Sequence, residues 1–108
     1  IELIRENSSK WKIDSNNVGV IGFSAGGHLA STISTKGTLK INKPNFAVLV
    51  YPVITMSLDS KTWTFNSLFG KNPNPDIIKK YSNDLFVDNT TPPTILIHSN
   101  KIKNHKDK

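Results

Sequence analysis

Cysteine is absent from all 108 residues, which excludes disulfides, thiolate metal sites and a cysteine nucleophile and leaves the redox compartment open. No apolar run approaches the roughly 20 residues that a membrane span needs. The opening Ile1-Glu2-Leu3-Ile4-Arg5-Glu6 lacks an initiator methionine and the layout of a signal peptide. That absence says nothing about the export of a longer parent protein, so the localisation is unknown. Acidic side chains are scarce, eight against fourteen Lys and Arg, for a net charge of +6. Such an excess invites a nucleic-acid partner, but its location argues otherwise. Four lysines and Asp107 place +3 in the last eight residues, which leaves +3 over the first hundred. No aromatic residue interleaves with this tail to stack on bases, so it reads as a solvated end and no nucleic-acid partner is expected. Asp14, Asp59, Asp76, Asp84 and Asp88 are scattered over turns and exposed helix faces. None forms a pair with metal-ligand spacing, so neither a metal nor any other cofactor is expected. No internal repeat is visible.

The stretch that organises the chain is Gly22-Phe23-Ser24-Ala25-Gly26-Gly27. It follows the apolar run Val18-Gly19-Val20-Ile21 and precedes Ala25, Leu29, Ala30 and Ile33 at helical spacing. A G-x-S-x-G sequence between a buried strand and a helix reads as a nucleophile elbow, in which a tight turn lifts the serine hydroxyl above the sheet. Side chains at Gly22 and Gly26 are expected to collide where strand and helix cross. Ser24 is the candidate nucleophile. The Ala25 N–H, unpaired at the helix start, is a candidate oxyanion donor.

Taken in order, residues 1 to about 12 predict one amphipathic covering helix with Ile1, Ile4 and Trp11 on a shared face. A polar turn from Asp14 to Asn17 leads into a strand from Val18 to Gly22, apolar on both faces and therefore expected to be central and covered on each side. The following helix ends near Lys36, with Gly37 placed for a left-handed terminus. Phe46 to Tyr51 predicts a second buried strand, stopped by Pro52. Short helices are expected at Thr64 to Phe69, closed by Gly70, and at Pro75 to Tyr81, capped by Asn74. Thr94 to His98 is the third strand. Beyond Asn100 the chain has no period, and 101–108 reads as an aberrant or disordered basic tail.

Several of these stretches together resemble the α/β-hydrolase esterases related to acetylxylan esterases, a group that includes xylanase-like and lipase-like carbohydrate esterases. Trp11-Lys12-Ile13-Asp14 leading through Val18 to Ala30 is similar to the nucleophile segment of that family. Tyr51-Pro52-Val53-Ile54 is similar to the exit from its next strand. Lys80-Tyr81-Ser82-Asn83 and Thr91-Pro92-Pro93-Thr94, running into His98, are similar to the approach to the strand before the catalytic acid. The resemblance implies a partial α/β-hydrolase fold over residues 1–100, about three parallel strands with flanking helices. It also implies a carboxylic-ester hydrolase with Ser24 as nucleophile, Ala25 in the oxyanion hole, and a small ester or acetylated carbohydrate as substrate.

The departures carry as much information. Where the family has a pair of aspartates shortly after the third strand, this sequence has Lys101 and Ile102, and the family's catalytic histidine and second oxyanion loop fall outside the chain. The resemblance therefore implies the middle of a larger domain, with a frameshift or early stop as the expected cause of the altered tail. Little or no activity is expected from this chain, because a disabled triad retains only roughly 10³ to 10⁴-fold over water. His28 is expected to pack, since a residue four places along the helix points back from the serine. His98, at the edge of the sheet where the elbow lies, is the better-placed substitute base, yet the family that the chain resembles has a histidine at this place without that role, and His105 lies in the tail. Two rival readings remain: a non-catalytic remnant or binding module that associates through open sheet edges, and a serine peptidase of the same fold.

Overall fold

The computed structural model describes residues 1–37, 41–57 and 63–99. The basic tail, Asp59 and His105 lie outside the described residues. In chain order the elements are α1 (Glu2–Glu6), α2 (Ser8–Trp11), β1 (Gly19–Phe23), α3 (Ala25–Lys36), β2 (Phe46–Val50), α4 (Trp63–Phe69), α5 (Pro75–Lys80), a 3₁₀ turn (Asn83–Phe86) and β3 (Thr94–Ile97). The three strands form one parallel sheet in the order β1-β2-β3. Phe23 pairs with Val50 and Val50 with Ile97. Ser24, Tyr51 and His98 therefore leave the sheet side by side along one edge, the carboxyl edge where open α/β sheets bind ligands. At the opposite edge Val18 and Asn45 hold the strand starts together: Val18 N–H donates to Asn45 Oδ1 at 2.9 Å and Asn45 N–H to the Val18 carbonyl at 2.8 Å.

Strand alternation decides what α3 covers. Val20 of β1 and Ala47 and Leu49 of β2 face it, and with Ala30 and Ile54 they form the core beneath the helix. For its size α3 is polar, yet Ser31 and Ser34 are buried. Their hydroxyls are satisfied within the helix, Ser31 Oγ donating to the His28 carbonyl at 2.7 Å and Ser34 Oγ to the Ala30 carbonyl at 2.8 Å. These small, internally satisfied side chains let α3 lie close to the sheet without an unpaired polar cost. The excursion between β2 and β3 has its own core of Met56, Phe65 and Ile78, with Val53, Phe69 and Tyr81 against it. Phe65 meets Phe69 edge-on at 4.9 Å, and Phe69 meets Tyr81 at 5.8 Å.

Three expectations need correction. The single covering helix over residues 1 to 12 is two short helices broken at Asn7, and Lys12 ends the second in a left-handed conformation at φ 55°. Of the expected covered face, Ile1 and Ile4 are half-buried and Trp11 is exposed, and neither helix packs extensively on a strand. Gly37 is extended at φ −60°, ψ 119°; a Cβ there would stand 2.8 Å from the Ile33 carbonyl oxygen, so close approach explains its glycine better than handedness. β1 is an end strand among the described residues, and only its α3 face is covered. The rows Ile21-Val48-Ile95 and Phe23-Val50-Ile97 form the other face, with Ile21 59% and Ile95 61% exposed.

Candidate active site

Ser24 stands between β1 and α3, exposed, with φ 52° and ψ −116°. L residues rarely adopt such a conformation, and it persists only where the surroundings over-determine it. Three backbone hydrogen bonds do so. Ser24 N–H donates to the Val50 carbonyl at 3.0 Å, and the Ser24 carbonyl accepts from His28 N–H at 3.2 Å and from Val53 N–H at 3.3 Å. The bend is thus tied to the end of β2, to the first turn of α3 and to the segment leaving β2. The hydroxyl itself makes no capping bond to α3, although Ser24 occupies the capping position. Ala25 begins the helix and is exposed, so its N–H is among those with no partner inside the helix.

The glycines around the serine are not equivalent. A Cβ on Gly22 would lie 2.2 Å from the Gly26 carbonyl oxygen, a distance that backbone cannot relieve. A Cβ on Gly27 would lie 2.7 Å from Pro52 Cβ and 2.9 Å from Pro52 Cα. At Gly26 a Cβ would meet nothing within 4 Å among the described residues. The collision expected at Gly26 therefore belongs to Gly27, because the side of the helix that faces the strands at this point is one residue further on.

The titratable candidates fall in different places. His28 is half-buried and does more than pack: its Nδ1 lies 3.0 Å from the Val53 carbonyl, and since a carbonyl only accepts, Nδ1 carries the hydrogen. His98 follows β3 two strands from Ser24, about 10 Å of backbone at ordinary strand spacing. It lines a cavity of about 470 Å³ formed by Pro52 to Met56, Phe65 and Leu96. Asp14 is spent in its own turn, accepting from Asn16 N–H at 2.9 Å and Asn17 Nδ2 at 3.0 Å, at the opposite end of β1 from Ser24. Asp88 caps another turn before β3, where the Thr90 hydroxyl and amide hold its carboxyl below the usual range. Asp76 and Asp84 lie in the first turns of α5 and of the 3₁₀ turn. Among the described residues no group of three or more His, Asp or Glu could hold a metal ion.

Two features of the site leave no mark in the sequence. Tyr51, beside Ser24 at the end of β2, also has a positive φ, 37°, although it precedes a proline that favours extended backbone. Its N–H donates to the Ile97 carbonyl at 2.7 Å, and its ring meets Phe23 at 6.1 Å. Asn83, 1% exposed, sends Nδ2 into α3: to Ser31 Oγ at 2.7 Å, Thr32 Oγ1 at 2.9 Å and the His28 carbonyl at 3.3 Å. Its Oδ1 is buried and unpartnered. An asparagine between a serine and an aspartate ordinarily signals an exposed turn, so nothing local foretells its burial.

Comparison with known proteins places these features in context. The BD-FAE family model matches residues 1–104. An acetylxylan esterase of Xylanibacter ruminicola is 40% identical over 102 residues, which are 91% of this chain and 21% of that protein. Endo-1,4-beta-xylanase B of Butyrivibrio fibrisolvens is 30% identical over 106 residues, 89% of this chain and 17% of that protein. Among solved structures, the acetyl ester-xyloside bifunctional hydrolase of Caldicellulosiruptor lactoaceticus has a TM-score of 0.75 at 37% identity, over 88% of this chain and 39% of that one. The chain spans about a fifth of the length of the two curated relatives.

Proposed function

The chain belongs to the BD-FAE family and has the α/β-hydrolase fold, and from that premise we propose that the protein carrying it is a serine-dependent carboxylic-ester hydrolase acting on acetyl esters of carbohydrates. The observation that carries this reading is the conformation of Ser24. An exposed serine held at φ 52° by three backbone hydrogen bonds, at the start of a twelve-residue helix, is an unfavourable arrangement for a mere connection. It suits a hydroxyl that must meet a substrate. The substrate class is supported by the names of the relatives, which include an acetylxylan esterase and an acetyl ester-xyloside hydrolase.

In this reading Ser24 Oγ attacks the acyl carbon while a base takes its proton, and the sugar hydroxyl leaves with a proton returned by that base. Water then releases acetate from the acyl-serine. Ala25 N–H faces the carbonyl oxygen as it gains negative charge, assisted by the positive end of α3. Among the described residues no side chain is hydrogen-bonded to the Ser24 hydroxyl as a base would be: His28 lies four places along α3 with its ring turned to Val53, and His98 is two strands away. Activation must then come from groups outside them, and residues 1–108 alone are expected to hydrolyse esters little faster than buffer. The bare sheet face supports self-association of the chain when it is isolated.

The test is hydrolysis of 4-nitrophenyl acetate and acetylated xylan by the complete protein that carries these residues. Ser24→Ala should lower kcat by at least about 10³-fold. An unchanged rate in that variant would remove Ser24 from the reaction, and cleavage of peptides without cleavage of acetyl esters would turn the reading to a peptidase.

A further inference from the structure

We propose that His28 is a positioning residue for ester hydrolysis, which fixes the plane of the Ser24–Ala25 peptide and thereby aims the Ala25 N–H at the substrate oxygen. The proposal rests on the reading of Ser24 given above and adds a role to a side chain that the reaction itself does not use.

The Ser24–Ala25 peptide is a rigid unit. The Ser24 carbonyl and the Ala25 N–H belong to one planar trans peptide, so they point in opposite directions, and whatever holds the carbonyl aims the amide. Two donors hold it, the N–H of His28 at 3.2 Å and the N–H of Val53 at 3.3 Å. The first is the ordinary opening bond of the helix. The second is unusual, because Val53 lies beyond β2, after Tyr51 at φ 37° and Pro52, where no strand ladder sets its position. The His28 ring helps to set it, its Nδ1–H donating to the Val53 carbonyl at 3.0 Å while the Val53 side chain packs against Met56, Phe65 and Ile78. One residue therefore meets the elbow at both ends, through its own backbone directly and through its imidazole by way of Val53.

The ring is itself held. Tyr81 lies beside it at 6.4 Å between centroids, and the His28 carbonyl accepts from Ser31 Oγ at 2.7 Å, Thr32 Oγ1 at 3.0 Å and Asn83 Nδ2 at 3.3 Å. Asn83 in turn is fixed by its own N–H, which donates to the Ile54 carbonyl at 3.2 Å, one residue after Val53. The imidazole thus closes a loop of contacts running from the elbow through Val53 and Ile54 to Asn83 and back to α3.

The same geometry dictates the experiment. Phenylalanine keeps the ring volume and loses the donor. Asparagine places Nδ2 close to the position of the imidazole Nδ1 and keeps the donor, while glutamine carries its amide one methylene further out. In the complete protein, His28→Phe should lower kcat for 4-nitrophenyl acetate by about tenfold to a hundredfold with KM little changed, because a misaimed donor is felt mainly in the transition state. His28→Asn should recover most of that loss and His28→Gln should not. Equal kcat in His28→Phe and the unsubstituted protein would overturn the proposal, as would equal losses in the phenylalanine and asparagine variants. Nitrogen-15 spectra of the imidazole give a reading that needs no variant: the Nδ1–H tautomer is expected, and an Nε2–H tautomer would overturn the proposal. The Ser24→Ala control separates the two levels. Loss of activity there with full activity in His28→Phe rejects the positioning role alone, whereas retained activity in Ser24→Ala rejects both.

Discussion

Within the pentapeptide that surrounds Ser24, Gly22 and Gly26 look interchangeable, and the packing separates them. A methyl group on Gly22 would press on the backbone of Gly26, and one on Gly26 would enter open space among the described residues. Gly22→Ala should therefore destabilise the complete protein by about 3 kcal/mol or more, since neither strand nor helix can withdraw without loosening the bend. Gly26→Ala should shift stability by no more than about 0.5 kcal/mol, and in the favourable direction, because alanine suits a helix better than glycine. Urea midpoints measured with unchanged m-values distinguish the two, and equal losses would show that the strand and helix do not cross as described. At this scale the need for small residues was legible, because a strand meeting a helix at a serine leaves a local signature. Which glycine bears the contact was not, since that depends on Pro52, twenty-five residues beyond Gly27 in sequence and packed against it in space.

Helices and turns here differ in how much of their stability is local. α5 opens at Asn74, whose Oδ1 accepts from Asp76 N–H at 2.8 Å, with Pro75 in the first turn. Both residues act within one turn of backbone, so the element could be placed from sequence alone. Asn74→Ala should cost about 1 kcal/mol and Asn74→Ser much less, as read from thermal unfolding. The turn before β3 adds a dependence on pH. Asp88 accepts from the Thr90 hydroxyl at 2.6 Å and the Thr90 N–H at 2.8 Å, which lowers its pKa from the ordinary 3.8. A depressed carboxyl contributes stability above its unfolded pKa and loses it as pH falls through the folded one. Asp88→Asn should therefore flatten the part of the acid limb just below the ordinary value, and an unchanged limb would mean that the turn contributes nothing. α1 and α2 show the opposite case. The apolar spacing of Ile1, Ile4 and Trp11 predicts one covering helix, but periodicity names a face without naming what covers it, and neither segment packs extensively on a strand.

For the molecule as a whole, α3 covers one face of β1 and β2, while the opposite face of the sheet is bare and β3 is exposed along its length. Ile21, Phe23, Ile95 and Ile97 are each at least half exposed, and a continuous apolar surface of this kind is rarely left open in a monomer. The isolated chain should associate with itself, its light-scattering mass rising with concentration, and Ile21→Lys together with Ile95→Lys should lower that tendency. A mass equal to one chain at all concentrations would contradict this. The parallel order of the strands follows from apolar runs separated by a helix and by a long excursion, and in that sense the architecture was legible. The tie between Val53, His28 and Asn83 was not, because each of its bonds joins segments that are distant in sequence and its donors are ordinary residues.

The central claim is that the strained serine at the end of β1 is the nucleophile of an ester hydrolase. Its most direct test is to treat the complete protein with a fluorophosphonate and locate the adduct by peptide mass spectrometry. A single phosphonylated residue, Ser24, is expected, with loss of esterase activity in proportion to labelling. An adduct on any other residue, or an active esterase that takes up no label, would contradict it.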